Sequence, residues 1–182
     1  MEALFAGCTR LRDRLLLEAG LRIGEALGLR HEDVRTPDGV VEVRQRVNAN
    51  RARAKTWERT VPVGASWLRL HADYLHEEYG DLDSDYVFVT LWSRPRGRPL
   101  GYPAVTDLFA RLARHTGVAA TPHMFRHTYA TRLLRSGVKT EVVQQLLGHA
   151  SVTTTIDTYV QLTVEDVRRE LRRAGRLEAE DG

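Results

Sequence analysis

Apolar positions in the first thirty residues fall at helical spacing: Leu11, Leu15 and Leu16, then Leu21, Ile23, Ala26 and Leu27, with a break near Gly20. Pro37-Asp38-Gly39 reads as a turn. After it Val41, Val43 and Val47 alternate with Glu42, Arg44 and Arg46, a period of two that predicts a half-buried strand. Arg59-Thr-Val-Pro-Val63 reads as its return strand, with Pro62 placing it at an edge or an end. The intervening Asn48–Glu58 then forms the tip of a long hairpin. Ser66–Tyr79 is amphipathic, Tyr86–Val89 is a short extended piece, and Arg94–Gly101 is a loop. Val105, Leu108, Phe109 and Leu112 mark one helix face, and Thr121-Pro122 opens another helix that carries Phe125, Tyr129, Leu133 and Leu134. Val142, Val143, Leu146 and Leu147 form a further helix closed by Gly148. Thr163-Val-Glu-Asp166 matches a capping box for a last helix with Val164, Val167 and Leu171 along one side. The pattern predicts a mainly α domain with one small antiparallel β-sheet on its flank, an α+β fold.

Composition keeps that picture and narrows the setting. A chain of 182 residues that is 42% hydrophobic and 28% charged can bury a sizeable core in a single domain. Cys8 is the only cysteine, which excludes an intrachain disulfide and a cysteine-based metal cluster. No secretory leader and no long apolar span is evident, so the expectation is a soluble, cytoplasmic protein. The net charge of +3 says little, but the basic residues are uneven: only two of 27, Lys55 and Lys139, are lysines. Arg44, Arg46, Arg51, Arg53, Lys55 and Arg59 face Glu58 alone over their span, and Arg94, Arg96 and Arg98 form a second cluster. Each cluster suits either a solvated loop or a polyanionic partner, with arginine well shaped for phosphate.

Three short segments hold candidate chemistry. In His123-Met-Phe-Arg126-His127, positions 123 and 126 share one side of a helix near its N-terminus, where a His and an Arg would suit an anion. His123 and His127 also have the spacing of a metal pair, but no acidic residue lies within the motif and no third ligand follows nearby. Leu146-Leu-Gly-His149 ends a helix and precedes a threonine run leading to Tyr159. In Gly20-Leu-Arg22-Ile-Gly-Glu25, an arginine sits among apolar neighbours, either paired with Glu25 or aimed at a ligand.

In that order, Gly-Leu-Arg22-Ile-Gly-Glu, His123-x-x-Arg126-His-Thr, Leu-Leu-Gly-His149 and Asp-Thr-Tyr159 resemble the signature boxes of the tyrosine recombinase (phage integrase) family, over roughly Leu15 to Val167. Lys55, in Ala-Lys-Thr-Trp-Glu-Arg-Thr-Val-Pro-Val, matches the family's β-hairpin lysine. The resemblance implies that residues 1–175 are a catalytic domain of that fold and that residues 176–182 are a polar tail. It also implies roles. Tyr159 attacks the scissile phosphate to give a 3′-phosphotyrosyl bond, while Arg22, Arg126 and His149 stabilise the phosphate. His123 acts as general base or positioning group, and Lys55, on a mobile hairpin tip, protonates the leaving 5′-oxygen. No metal, cofactor or ATP is called for.

The implied partner is double-stranded DNA, contacted by Arg44, Arg46, Arg51, Arg53, Arg94, Arg96 and Arg98, in a nucleoid-associated setting without a membrane. The implied assembly is a homo-oligomer, a tetramer on DNA and a monomer in solution. The helix at 163–175 packs on its own domain or docks in trans on a neighbour. Two departures stand out: Gln161 replaces a frequent His two residues after the tyrosine, and Phe125 replaces the usual Leu. The family's upstream DNA-clamp domain has no counterpart in this sequence. The alternatives are a type IB topoisomerase-like nicking and resealing enzyme, a non-catalytic DNA-binding homologue, and a metal hydrolase built on His123 and His127.

Overall fold

A computed structural model describes residues 2–54, 57–148 and 164–177. The N-terminal helical pattern divides into α1 (Glu2–Ala6), α2 (Leu11–Glu18) and the short α3 (Ile23–Ala26). The break falls at Gly20, whose φ of +64° is left-handed. Space decides the residue as firmly as torsion does, because a Cβ at Gly20 would lie 2.6 Å from the Tyr129 ring. α3 starts with Glu25 reaching back to accept from the Arg22 backbone N–H at 3.0 Å, which satisfies one donor that the helix leaves open.

The predicted sheet is present and gains a strand. β1 (Val34–Arg35), β2 (Val40–Val43) and β3 (Arg59–Pro62) pair antiparallel in the order β1-β2-β3. Val41 lies opposite Val34 and Val61, and Val43 lies opposite Arg59. Pro62 sits on an outer strand, where its missing N–H costs no ladder bond. The predicted strand through Val47 stops at Val43, and Val47 is 98% exposed. The stretch between β2 and β3 is not the simple solvated tip expected. Asn48 and Ala52 are buried, and the Asn50 amide donates to Leu27 O at 2.8 Å and Leu100 O at 2.7 Å. Those tertiary acceptors outcompete the continuing ladder.

α4 (Ala65–Tyr74) runs on through a π-helical turn, Leu75–Tyr79, and covers the predicted amphipathic segment. Tyr86–Val89 is extended and buried, bridged to Arg30 and Pro99. α5 (Tyr102–Thr116) follows its predicted face, with Val105, Leu108, Phe109 and Leu112 buried. On α6 (Pro122–Arg135) Phe125 and Leu133 are buried as predicted, but Leu134 turns outward, 45% exposed, and Arg126 takes an inward position instead. Phe125 on α6 meets Phe109 and Phe5 edge to face at 5.5 and 5.2 Å, so the phenylalanine is absorbed as core packing. α7 (Thr140–Leu147) ends at Gly148, and α8 (Val164–Arg173) returns to the body of the domain. Val167 and Leu171 are each 2% exposed in contact with their own chain, beside β3. This is packing in cis. No helix among the described residues is long and apolar enough to cross a membrane.

Candidate active site

The loop entering α3, the first turn of α6, the start of β3 and the end of α7 converge. α6 is capped by the Thr121 hydroxyl, which accepts from the Met124 N–H at 3.4 Å, with Pro122 in the first turn. That start leaves His123 exposed and turns Arg126, one helical turn on, into the interior. The Arg126 guanidinium donates to Gly20 O at 3.2 Å and to Leu147 O. Arg22 Nη1 donates to the same Leu147 O at 2.8 Å. Arg59 Nε donates to Leu146 O at 3.0 Å. Three guanidinium groups thus take the last carbonyls of α7, the groups a helix leaves without internal partners and where its dipole favours cations.

One carboxylate organises the cluster. Glu25, whose side chain is fully buried, holds Arg59 in a fork at 3.0 and 2.8 Å and lies 3.3 Å from Arg22 Nη1. Arg22 is thus near Glu25, as one of its two alternatives had it, while Glu25 is forked onto Arg59 and the Arg22 side chain remains 28% exposed. Among the described residues Arg126 has no carboxylate within ion-pair distance. Burial, and then the nearby Arg22 charge, push its pKa down to about 10, still well above neutrality. The arrangement is a pair of charged, largely preorganised forks with more cation than anion around them. Such a site suits a phosphate.

Gly148 closes α7 with φ +59°, and a Cβ there would meet Arg59 Nη1 at 2.8 Å. Glycine at this position therefore serves both the left-handed turn and the approach of the arginines. Lys55, His149 and Tyr159 lie outside the described residues. Among the described residues no group of three His, Cys, Asp or Glu side chains comes together to hold a metal ion.

Among the expected DNA-contacting arginines, Arg51, Arg53, Arg94, Arg96 and Arg98 are exposed. Arg46 is tied to Asp33 at 2.5 and 2.7 Å and to Glu32 at 2.6 Å. Arg44 pairs with Glu42 and lies 3.6 Å from Asp33. Arg59, read as one more member of the basic hairpin, is instead part of the site. The period of β3 carried the signal: Arg59 shares a strand face with Val61, which is buried.

The sequence profile of the phage integrase family matches residues 5–166. The chain belongs to the phage integrase family. It is 43% identical over 180 residues to transposase A from transposon Tn554 of Staphylococcus aureus, covering 95% of this chain and 50% of that protein. It is 35% identical to the tyrosine recombinase XerA of Thermococcus onnurineus, covering 93% of this chain and 58% of that one. The chain thus spans between half and three fifths of these relatives. Among solved structures, a XerA recombinase crystal structure superposes with a TM-score of 0.68 at 27% identity, over 94% of this chain and 61% of the other. A Tn1549 transposon integrase bound to transposon right-end DNA gives 0.64 at 24% identity, over 94% and 62%, a likeness of fold. The boxes around Arg22 and Arg126 meet at the Leu147 carbonyl oxygen.

Proposed function

We propose that this chain is the catalytic domain of a site-specific DNA recombinase, of the integrase or transposase kind, that cuts and rejoins DNA through a covalent phosphotyrosyl intermediate. The observation that carries the reading is the meeting of Arg22 and Arg126, 104 residues apart in sequence, on the single Leu147 carbonyl oxygen just before Gly148-His149. Two guanidinium groups that share one small oxygen stand where they could share one phosphate.

In this reading the Tyr159 oxygen attacks phosphorus, the phosphorus–O5′ bond breaks, and Lys55 delivers a proton to the departing 5′-oxygen. Arg22, Arg126 and His149 stabilise the charge that builds on the non-bridging oxygens. His123, exposed one turn before Arg126 on α6, takes or orients the tyrosine proton, because a phenol of ordinary pKa near ~10 is a weak nucleophile at neutral pH. The bond energy is kept in the phosphotyrosine and returned on rejoining, so neither metal nor ATP is required. Double-stranded DNA is the partner, with the exposed Arg51, Arg53, Arg94, Arg96 and Arg98 as backbone contacts. Arg44 and Arg46 would first have to loosen from Glu32, Asp33 and Glu42. The setting is the cytoplasm, at the nucleoid, with the free chain a monomer and the DNA-bound form a tetramer. Trans docking of α8 in that tetramer would require Val167 and Leu171 to leave their seat in cis.

The test is incubation with nicked DNA followed by denaturing electrophoresis. A protein–DNA adduct should form, persist in EDTA, and vanish in Tyr159→Phe while binding survives. An adduct retained by Tyr159→Phe moves the nucleophile elsewhere, and inhibition by EDTA favours a metal hydrolase. Relaxation of supercoiled DNA by a monomer at no defined site would favour the topoisomerase reading.

A further inference from the structure

The chain that leads to Lys55 is fastened to the helix that leads from Arg22. Gly24 and Gly28 stand four residues apart on and just after α3, and the segment after β2 crosses both. A Cβ at Gly24 would lie 2.5 Å from Arg53 O, and one at Gly28 would lie 2.7 Å from Asn48 Nδ2. The two glycines leave a shallow trough that only a closely applied chain fills.

Asn50 is the fastener. Its amide nitrogen donates to Leu27 O at 2.8 Å and Leu100 O at 2.7 Å, and its oxygen accepts from the Ala52 N–H at 3.0 Å. Both amide hydrogens are spent on carbonyls from two distant parts of the chain, which fixes the side chain in place. Asn48 adds a second tie. Its nitrogen donates to Ala52 O at 3.0 Å, and its oxygen accepts from the Tyr86 hydroxyl at 3.4 Å. The same hydroxyl accepts from the Ala49 N–H at 3.2 Å. Between these ties Arg51 adopts φ +60°, unusual for a residue with a Cβ and sustained by its surroundings. Ala52 is fully buried, and Ala54, the residue before Lys55, packs against the core.

We propose that Asn50 is a positioning residue for the general acid: by latching residues 48–54 to α3 and to the segment before α5, it sets where the next residue, Lys55, can reach relative to Arg22. The proposal rests on the assignment of Lys55 as the proton donor. Misplacing a catalytic group by about 1 Å can cost on the order of 10²-fold in rate, so an arm anchored on the same helix as the phosphate clamp has kinetic value.

The experiment uses two DNA substrates bearing the cleavage site recovered from the covalent adduct, one with the ordinary 5′-bridging oxygen and one with sulfur there. A thiolate leaves without a proton, so only steps that deliver the acid are bypassed. Lys55→Ala is the reference and should be slow by roughly 10²–10⁴-fold on oxygen and close to wild type on sulfur. Asn50→Ala should fall by about 10- to 100-fold on oxygen and stay within a few-fold of wild type on sulfur. Tyr86→Phe, which removes one hydroxyl and keeps the ring, should show a smaller loss with the same selectivity, and serves if Asn50→Ala unfolds at the assay temperature. A variant equally slow on both substrates, while Lys55→Ala is rescued by sulfur, overturns the positioning role and leaves Lys55 as the acid. If Lys55→Ala is not rescued, or no adduct forms with any DNA, the underlying reading falls and the proposal with it.

Discussion

Arg22 and Arg126 are held by backbone carbonyls of their own chain, so in the proposed reading they are set in place before any substrate arrives. A preorganised donor to developing negative charge is worth roughly 10²–10³ in rate, so Arg22→Ala and Arg126→Ala should each slow single-turnover adduct formation by that factor. Binding measured by fluorescence anisotropy should weaken far less, and equal losses in both assays would reduce the two residues to anchors. Arg59 makes a different prediction. Arg59→Met leaves the fully buried Glu25 carboxylate without its forked partner, a change that typically costs about 3–5 kcal/mol. Urea denaturation should show that loss and should recover more than half of it in Arg59→Met/Glu25→Gln. A double variant no more stable than the single one would mean that charge burial is not the cause. The sequence made Arg22 and Arg126 legible because side-chain type and order carry the family signature. The Arg59 contact was hidden for a physical reason: its acceptors are a carboxylate 34 residues away and a backbone carbonyl, and a carbonyl has no letter in a sequence.

Among the elements, α4 holds a pH-sensitive contact. His71 stacks on Trp67 with ring centres 5.6 Å apart and planes 4° apart, and its Nε2 is buried with no hydrogen-bond partner among the described residues. Burial first, and the His31 charge second, lower its pKa from 6.5 to about 4. Between those values the unfolded chain binds the proton and the folded chain does not, so stability present above pH 6.5 is lost as pH falls toward 4. His31, lowered by its own burial, acts in the same direction. Urea midpoints measured from pH 7.5 to 4.5 should therefore decline, and His71→Phe should flatten part of that decline. An unchanged slope in His71→Phe would place the sensitivity elsewhere. Helix faces such as the one on α5 were readable from periodicity because their partners lie at fixed short spacings. The end of β2 was not, since its alternation continues through Val47 while Asn48 and Asn50 draw the chain to carbonyls far away in sequence.

At the scale of the whole molecule, α8 ties the C-terminal part of the chain to the sheet. Burying Val167 and Leu171 contributes about 1.5–3 kcal/mol each. Removal of residues 164–182 should then lower the thermal midpoint by roughly 2–4 °C for each kcal/mol lost, with new dye-accessible apolar surface beside β3. A midpoint that does not move would mean that the helix has no seat in its own domain and would leave docking on a neighbour as its role. The arginine cluster carries a consequence of another kind. The hydrogen bond from Arg22 to Leu147 joins residues 125 apart, and those from Arg59 and Arg126 also end at the close of α7. During synthesis Arg22, Glu25 and Arg59 leave the ribosome well before the end of α7 exists. Until Leu146 and Leu147 emerge, Arg22 and Arg59 have Glu25 but no helix end to hold them. A chain cut short before α7 therefore carries Arg22 and Arg59 without the helix end that spaces them. Only the close of α7 gives the three arginines their common frame.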